Sequence, residues 1–248
     1  MIDLEAKANW VRRQILEMTI RAGHGHIGGS LSCVEIMAAL YYKILRPQDK
    51  FILSKGHAVS ALYPILADLG YFPIEELKTF CQKGSRLWGH PNIEVPGIEA
   101  STGSLGNGLG IGAGMALAAK MNDEDCNVYV LMSDGECYEG STWEAAMFAG
   151  NKRLDNLVAI VDWNNLMVMG KTGILSFHDK WRAFGWLTAL RDGHEAHPNY
   201  CTVSDMPMVY LAQTIKGKGI SFMENNPEWH GRVPHGKEIE LARAELGY

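Results

Sequence analysis

The chain has no C-x-x-C pair, no block of lysines and arginines, and no apolar run near the roughly eighteen residues that a membrane-spanning helix needs. Its five cysteines (Cys33, Cys81, Cys126, Cys137, Cys201) are scattered, which indicates neither a zinc site nor a disulfide framework and fits a reducing compartment. A net charge of −5 without a basic patch gives nucleic-acid binding no support. With neither a signal-peptide pattern nor a membrane span, a soluble cytoplasmic protein is expected. No Pro- or Ser-rich linker divides the 248 residues, so a single domain over 1–248 is expected, long enough to bury a substantial core.

What is present is organised around residues 127–171. Two short apolar β-rich runs, Val128–Met132 and Leu157–Val161, bracket a helix-like segment over Trp143–Ala149. This predicts a βαβ unit with parallel strands buried on both faces, and so an α/β fold of the doubly wound kind, with helices on both faces of a mainly parallel sheet. The first strand ends in Ser133-Asp134-Gly135 and the second in Asp162-Trp163-Asn164-Asn165. Ligands in open parallel sheets sit beyond the carboxyl ends of the strands. There the spacing offers the Asp134 carboxylate and the Asn164 carboxamide side by side, hard oxygens suited to Mg²⁺. Gly135 would let a diphosphate approach the backbone.

Upstream, Leu4, Ala8, Val11, Ile15 and Met18 have helical spacing, and the glycine-rich loop from Ala22 to Ser30 follows. Ser32 and Glu35 fit a capping box opening the next helix. Phe51–Leu53 is a strand candidate ending in Ser54-Lys55-Gly56-His57, and Met208–Ile215 is another. Gly106, Gly110 and Gly114 fall on one face of a helix, leaving it smooth for close packing. From residue types alone, the histidines in these loops read equally well as surface or capping residues.

Taken together, SDGECYEGSTWEAA, LDNLVAIVDWNN and GKT resemble the thiamin diphosphate signature as it occurs in transketolases. GHIGG, SKGH, WGHP, TGSLGNG and KGKG followed by WHG resemble further transketolase loops, in the family's order. The resemblance implies that His26, His90 and His230 contact the sugar and act in catalysis. It also implies that His57, Gly103, Ser104, Leu105, Gly135, Asn164, Lys216 and His230 lie against the cofactor. Asp134, the Asn164 side chain and the Leu166 carbonyl would bind Mg²⁺. Glu139 and Glu144 align with acidic residues of the family's subunit interface, and read equally well as solvated carboxylates at a helix start.

Only the amino-terminal, diphosphate-binding half of a transketolase is matched. The resemblance therefore implies one subunit of a split enzyme moving a two-carbon ketol unit from a ketose to an aldose. Its partner would be a carboxyl-terminal, pyrimidine-binding subunit, and the assembly a heterotetramer with two copies of each chain. Three alternatives stand beside this. One is another thiamin diphosphate enzyme, such as a synthase or a pathway-specific ketol transferase. The second is a non-catalytic binding subunit. The third is a nicotinamide oxidoreductase, suggested only by Gly108-x-Gly110-x-x-Ala113, which follows a poor strand. One departure from the family pattern is expected: residues 194–207, with Pro198 and Pro207, lack helical periodicity where the family has a crossover helix. That connection should be irregular and leave one flank of the sheet bare or covered by a partner.

Overall fold

The structure, a computed structural model, describes residues 2–168, 170–195, 198–202 and 205–248. In chain order the elements are α1 (Leu4–Ala22), α2 (Ile27–Leu31), α3 (Val34–Ala39) continuing into a π turn (Leu40–Ile44), β1 (Lys50–Leu53) and α4 (Val59–Asp68). Then come a 3-10 turn (Ile74–Thr79), α5 (Gly108–Met121), β2 (Val128–Ser133), α6 (Gly140–Asn151) and β3 (Leu157–Trp163). A small antiparallel pair, β4 (Leu166–Met167) and β5 (Gly170–Lys171), leads to α7 (Phe177–Ala183), β6 (Leu187–Asp192), β7 (Met208–Gln213) and α8 (Lys237–Glu245).

Five strands form one parallel sheet in the order β1-β2-β3-β7-β6. Successive strand residues point to opposite faces, and both faces are packed, which is why β2, β3 and β7 read as continuous apolar runs. Tyr129, Leu131, Val158, Ile160 and Tyr210 face a layer that includes Val11 and Ile15 of α1, Ile36 of α3 and Leu62 of α4. Val128, Val130, Ala159, Val161 and Leu211 face Ala113 and Ala116 of α5, Ala146 and Ala149 of α6, and Trp181 of α7. The expected doubly wound architecture is what is found, and every strand of the sheet ends on the same edge.

Two local expectations are corrected. Ser32 does not N-cap α3: it closes α2 as its C-cap, and its hydroxyl donates to Asp162 Oδ2 at 2.6 Å. Its backbone is still right-handed helical, and α3 opens only at Val34 with Cys33 at the N-cap, so Ser32 is one residue out of register with the cap position. Glu35 is likewise taken by Arg12 and His194. The capping box lies elsewhere, at Ser133 and Glu136. The smooth helix face is also shifted. Gly106 precedes α5, Gly110 faces Ala145 of α6 at its edge, Gly114 meets nothing within 4 Å, and Gly112 packs on the sheet, where a Cβ would come within 2.5 Å of Val130 Cγ2.

The irregular 194–207 connection lies in part outside the described residues, at 196–197 and 203–204. Residues 198–202 have no helix, and Tyr200 is buried edge-on to Tyr210, with ring centroids 5.2 Å apart. The Tyr210 hydroxyl donates to the Cys201 carbonyl at 2.8 Å. Edge strand β6 keeps Leu187 and Leu190 exposed. Among the described residues no helix is long and apolar enough to cross a membrane.

Candidate active site

Because the sheet is parallel, the residues following β1, β2, β3 and β7 converge on one edge. Asp134 follows β2 and is completely buried. Its Oδ2 accepts from the Asn165 amide (2.8 Å) and the Thr172 hydroxyl (2.7 Å), and its Oδ1 from the Gly135 amide (3.0 Å). Burial pushes its carboxyl up to about 6, against the hydrogen bond from Thr172. Asn164, just past β3, accepts from the Leu166 amide at 3.1 Å and is itself 7% exposed. The structure thus brings Asp134, Asn164 and Leu166 together at the ends of β2 and β3.

Lys216, past the end of β7, is also buried. Its Nζ lies 2.9 Å from His230 Nδ1 and 3.4 Å from the Leu166 carbonyl oxygen. Burial, followed by the nearby charge of Lys55, lowers it to about 8. Among the described residues neither Asp134 nor Lys216 has an oppositely charged side chain within 4 Å. Leaving an isolated charge buried is costly, so a buried anion and a buried cation standing unpaired at one edge call for a ligand that meets both.

The metal and cofactor implied by the resemblance can be tested on these residues. One carboxylate, one carboxamide oxygen and one backbone carbonyl are hard donors of the kind Mg²⁺ shares with phosphate oxygens. No group of three or more His, Cys, Asp or Glu among the described residues would divert the site toward a softer metal. A Cβ on Gly135 would stand in ordinary van der Waals contact with Met167 and Ser133, both at 3.7 Å, so without one the Gly135 backbone is closely approachable on that side. The residues fit a diphosphate with its cation.

Four histidines close around this edge. His26 precedes α2, and its ring centroid lies 5.3 Å from that of His57, 5.4 Å from His230 and 5.9 Å from His90. Burial, and then the other basic groups nearby, push His26 and His230 down to about 4 and His57 well below its usual value; burial and His24 also lower His90. All four are neutral at pH 7, able to donate from one ring nitrogen and accept at the other. His26 Nδ1 is buried with no hydrogen-bond partner among the described residues. Gly103 lies beside this group, where a Cβ would be 3.4 Å from the His90 ring. Leu105 is half-buried, whereas Ser104 is exposed, its carbonyl accepting from Asn107, and it makes no hydrogen bond to the histidines or to Asp134 among the described residues. Glu139 and Glu144 are exposed.

Sequence reasoning missed two buried carboxylates that hold the site. Glu136 accepts from the Ser133 amide (3.0 Å), the Gly106 amide (2.9 Å) and the Ser54 hydroxyl, tying the loops after β1 and before α5 to the end of β2. The signal was available, since Ser133-Asp-Gly-Glu136 is itself an S-x-x-E capping pattern. Asp162 is paired with Lys55 and accepts from Ser32 and Thr214; Lys55 also donates to the Gly29 carbonyl at 2.8 Å. Burial alone would raise the Asp162 carboxyl, but Lys55 and these hydrogen bonds hold it low.

Comparison with known proteins agrees with this geometry. The model of the family described as transketolase, thiamine diphosphate binding domain, matches residues 5–248. The chain is 42% identical to one of the apulose-4-phosphate transketolase subunits of Phocaeicola vulgatus, covering 99% of this chain and 93% of that protein. It is equally 42% identical to the 6-deoxy-6-sulfo-D-fructose transketolase subunit SqwG of a Clostridium species, over 99% of this chain and 96% of that one. The solved transketolase of Leishmania mexicana superposes with a TM-score of 0.90 at 27% identity; all of this chain is covered, but only 42% of that one, so the chain spans about two fifths of that enzyme's length. The chain belongs to the transketolase family, through its thiamine diphosphate-binding domain.

Proposed function

We propose that this chain is the diphosphate-binding subunit of a split, Mg²⁺-dependent transketolase that moves a two-carbon ketol unit from a ketose to an aldose. The observation that carries the reading is the unpaired pair of buried charges, Asp134 and Lys216, beneath a ring of neutral histidines. Asp134, the Asn164 carboxamide and the Leu166 carbonyl would hold Mg²⁺, and Lys216 with the Gly135 backbone would hold the diphosphate. His57, Gly103, Ser104, Leu105 and His230 would line the rest of the cofactor. When bound, thiamin diphosphate supplies the nucleophilic carbon and electron sink that carry the ketol unit.

The chain's own contribution is binding, orientation and proton movement. His26, with an unpartnered Nδ1, and His90, standing exposed at the rim, would hydrogen-bond sugar hydroxyls and pass protons to and from them. His230, whose Nδ1 is engaged by Lys216, would use Nε2 for the sugar.

Two relatives of nearly the same length are named as transketolase subunits, which supports a second polypeptide completing the site. We assign that role to a carboxyl-terminal, pyrimidine-binding subunit, in a cytoplasmic assembly of two copies of each chain. Those relatives are named for different sugars at equal identity, which supports the shared chemistry, ketol transfer from a ketose derivative, and gives no preference between the two donors. The test is a ketose-cleavage assay with Mg²⁺ and thiamin diphosphate, using the purified chain alone and then with the partner subunit, while mass is followed by light scattering. Turnover only in the mixture, at the mass of two plus two, is expected. Full turnover from the chain alone would refute the split-enzyme reading.

A further inference from the structure

His194 follows β6 and has no part in the histidine ring, yet its side chain is fixed at both nitrogens. The β6–β7 ladder closes with the Gly193 amide donating to the Gln213 carbonyl at 2.7 Å. His194 then folds across to the turn that follows β7, where its Nε2 accepts from the Ile215 amide at 2.8 Å. An accepting Nε2 in a neutral ring places the proton on Nδ1, which donates to Glu35 Oε2 at 3.0 Å. The other oxygen of Glu35 receives the Arg12 guanidinium. Arg12 is almost completely buried, and its Nε donates to the Lys218 carbonyl at 3.2 Å. The close fit extends to Gly219, which has φ +96° and where a Cβ would come within 2.9 Å of Arg12 Cδ.

The residues on either side of Lys216 are therefore gripped by one network: Ile215 by His194, and Lys218 by Arg12, with Glu35 joining the two. Lys216 itself makes no bond to this network; its Nζ turns the other way, to His230 and the Leu166 carbonyl. We propose that Arg12, Glu35 and His194 form a brace whose function is to position Lys216 for the diphosphate. His194 is a positioning residue that acts through the backbone of the Lys216 turn. The proposal rests on the diphosphate role given to Lys216 above, and its test separates the two.

The brace is read directly by amide hydrogen exchange on the ligand-free full chain. His194→Phe should speed exchange of the 214–218 amides by about tenfold, the equivalent of one lost buried hydrogen bond, while β2 keeps its protection. His194→Gln, which keeps an acceptor for the Ile215 amide, should restore slow exchange. Unchanged exchange at 214–218 in His194→Phe, or equal acceleration in β2, overturns the brace. The link to Lys216 is read by a double-mutant cycle on the affinity for Mg²⁺–thiamin diphosphate, with the chain assembled with its partner. His194→Phe should weaken binding about tenfold when Lys216 is present and less than about twofold in a Lys216→Met background. Equal weakening in both backgrounds overturns the proposal. Absence of cofactor binding by the wild-type assembly contradicts the transketolase reading instead, and the exchange experiment still decides whether the brace exists.

Discussion

Lys216 Nζ donates to His230 Nδ1 across 2.9 Å, and this one contact fixes the tautomer of a histidine at the site. An ammonium can only donate, so Nδ1 is the acceptor and the ring proton sits on Nε2. Nitrogen NMR at pH 7 should show His230 neutral with the proton on Nε2, and Lys216→Met should make the two tautomers comparable. A His230 protonated on Nδ1 in the wild type contradicts the assignment.

The ring of histidines predicts a separation between binding and turnover. His26→Ala and His90→Ala should leave the affinity for thiamin diphosphate nearly intact while lowering ketol transfer by about 10²-fold or more, the range for a lost acid–base group. Steady-state rates within about twofold of wild type in both variants would count against their substrate roles.

Burial of His26 also sets a pH dependence of stability. Its folded-state value is pushed down to about 4, below the roughly 6.5 of an unfolded chain. Below about pH 6.5 the unfolded state therefore binds more protons, so stability is retained above that pH and lost as pH falls toward 4. Asp134, raised by burial to about 6, and Glu136, also raised by burial, act in the opposite sense, Asp134 across most of this window. The His26 contribution is isolated by comparison: His26→Gln should flatten the decline in the denaturation midpoint between pH 7 and pH 5. Parallel curves for the two proteins would rule the contribution out.

The Lys55–Asp162 pair has both side chains out of solvent. Removing one partner strands the other, so Lys55→Met should cost about 3–5 kcal/mol in urea unfolding. A loss below about 1 kcal/mol would mean that Ser32 and Thr214 suffice to hold the carboxylate.

The sequence made the parallel sheet legible because β2, β3 and β7 are buried on both faces, and such strands are uninterrupted apolar runs. The residues that converge from strand ends, Asp134, Asn164 and Lys216, were equally legible through spacing and family resemblance. Glu35 and Ser32 were misread because a capping pattern is a local signal, whereas their partners, Arg12, His194 and Asp162, lie 23, 159 and 130 positions away. The same holds for His194, whose two bonds come from α3 and from the end of β7. Packing of α5 through Gly112 rather than through Gly110 and Gly114 depends on the helix's rotation over Val130, which a run of evenly spaced glycines does not specify.

The most direct test of the account is the binding of thiamin diphosphate and Mg²⁺ to the chain assembled with its partner, measured by titration calorimetry for wild type and Asp134→Ala. Without the Asp134 carboxylate the shared cation loses its only anionic protein ligand among the proposed three, and a diphosphate without its cation is poorly held. Saturable, Mg²⁺-dependent binding in the wild type and its loss in Asp134→Ala are expected. Equal cofactor affinity in the two proteins would contradict the site.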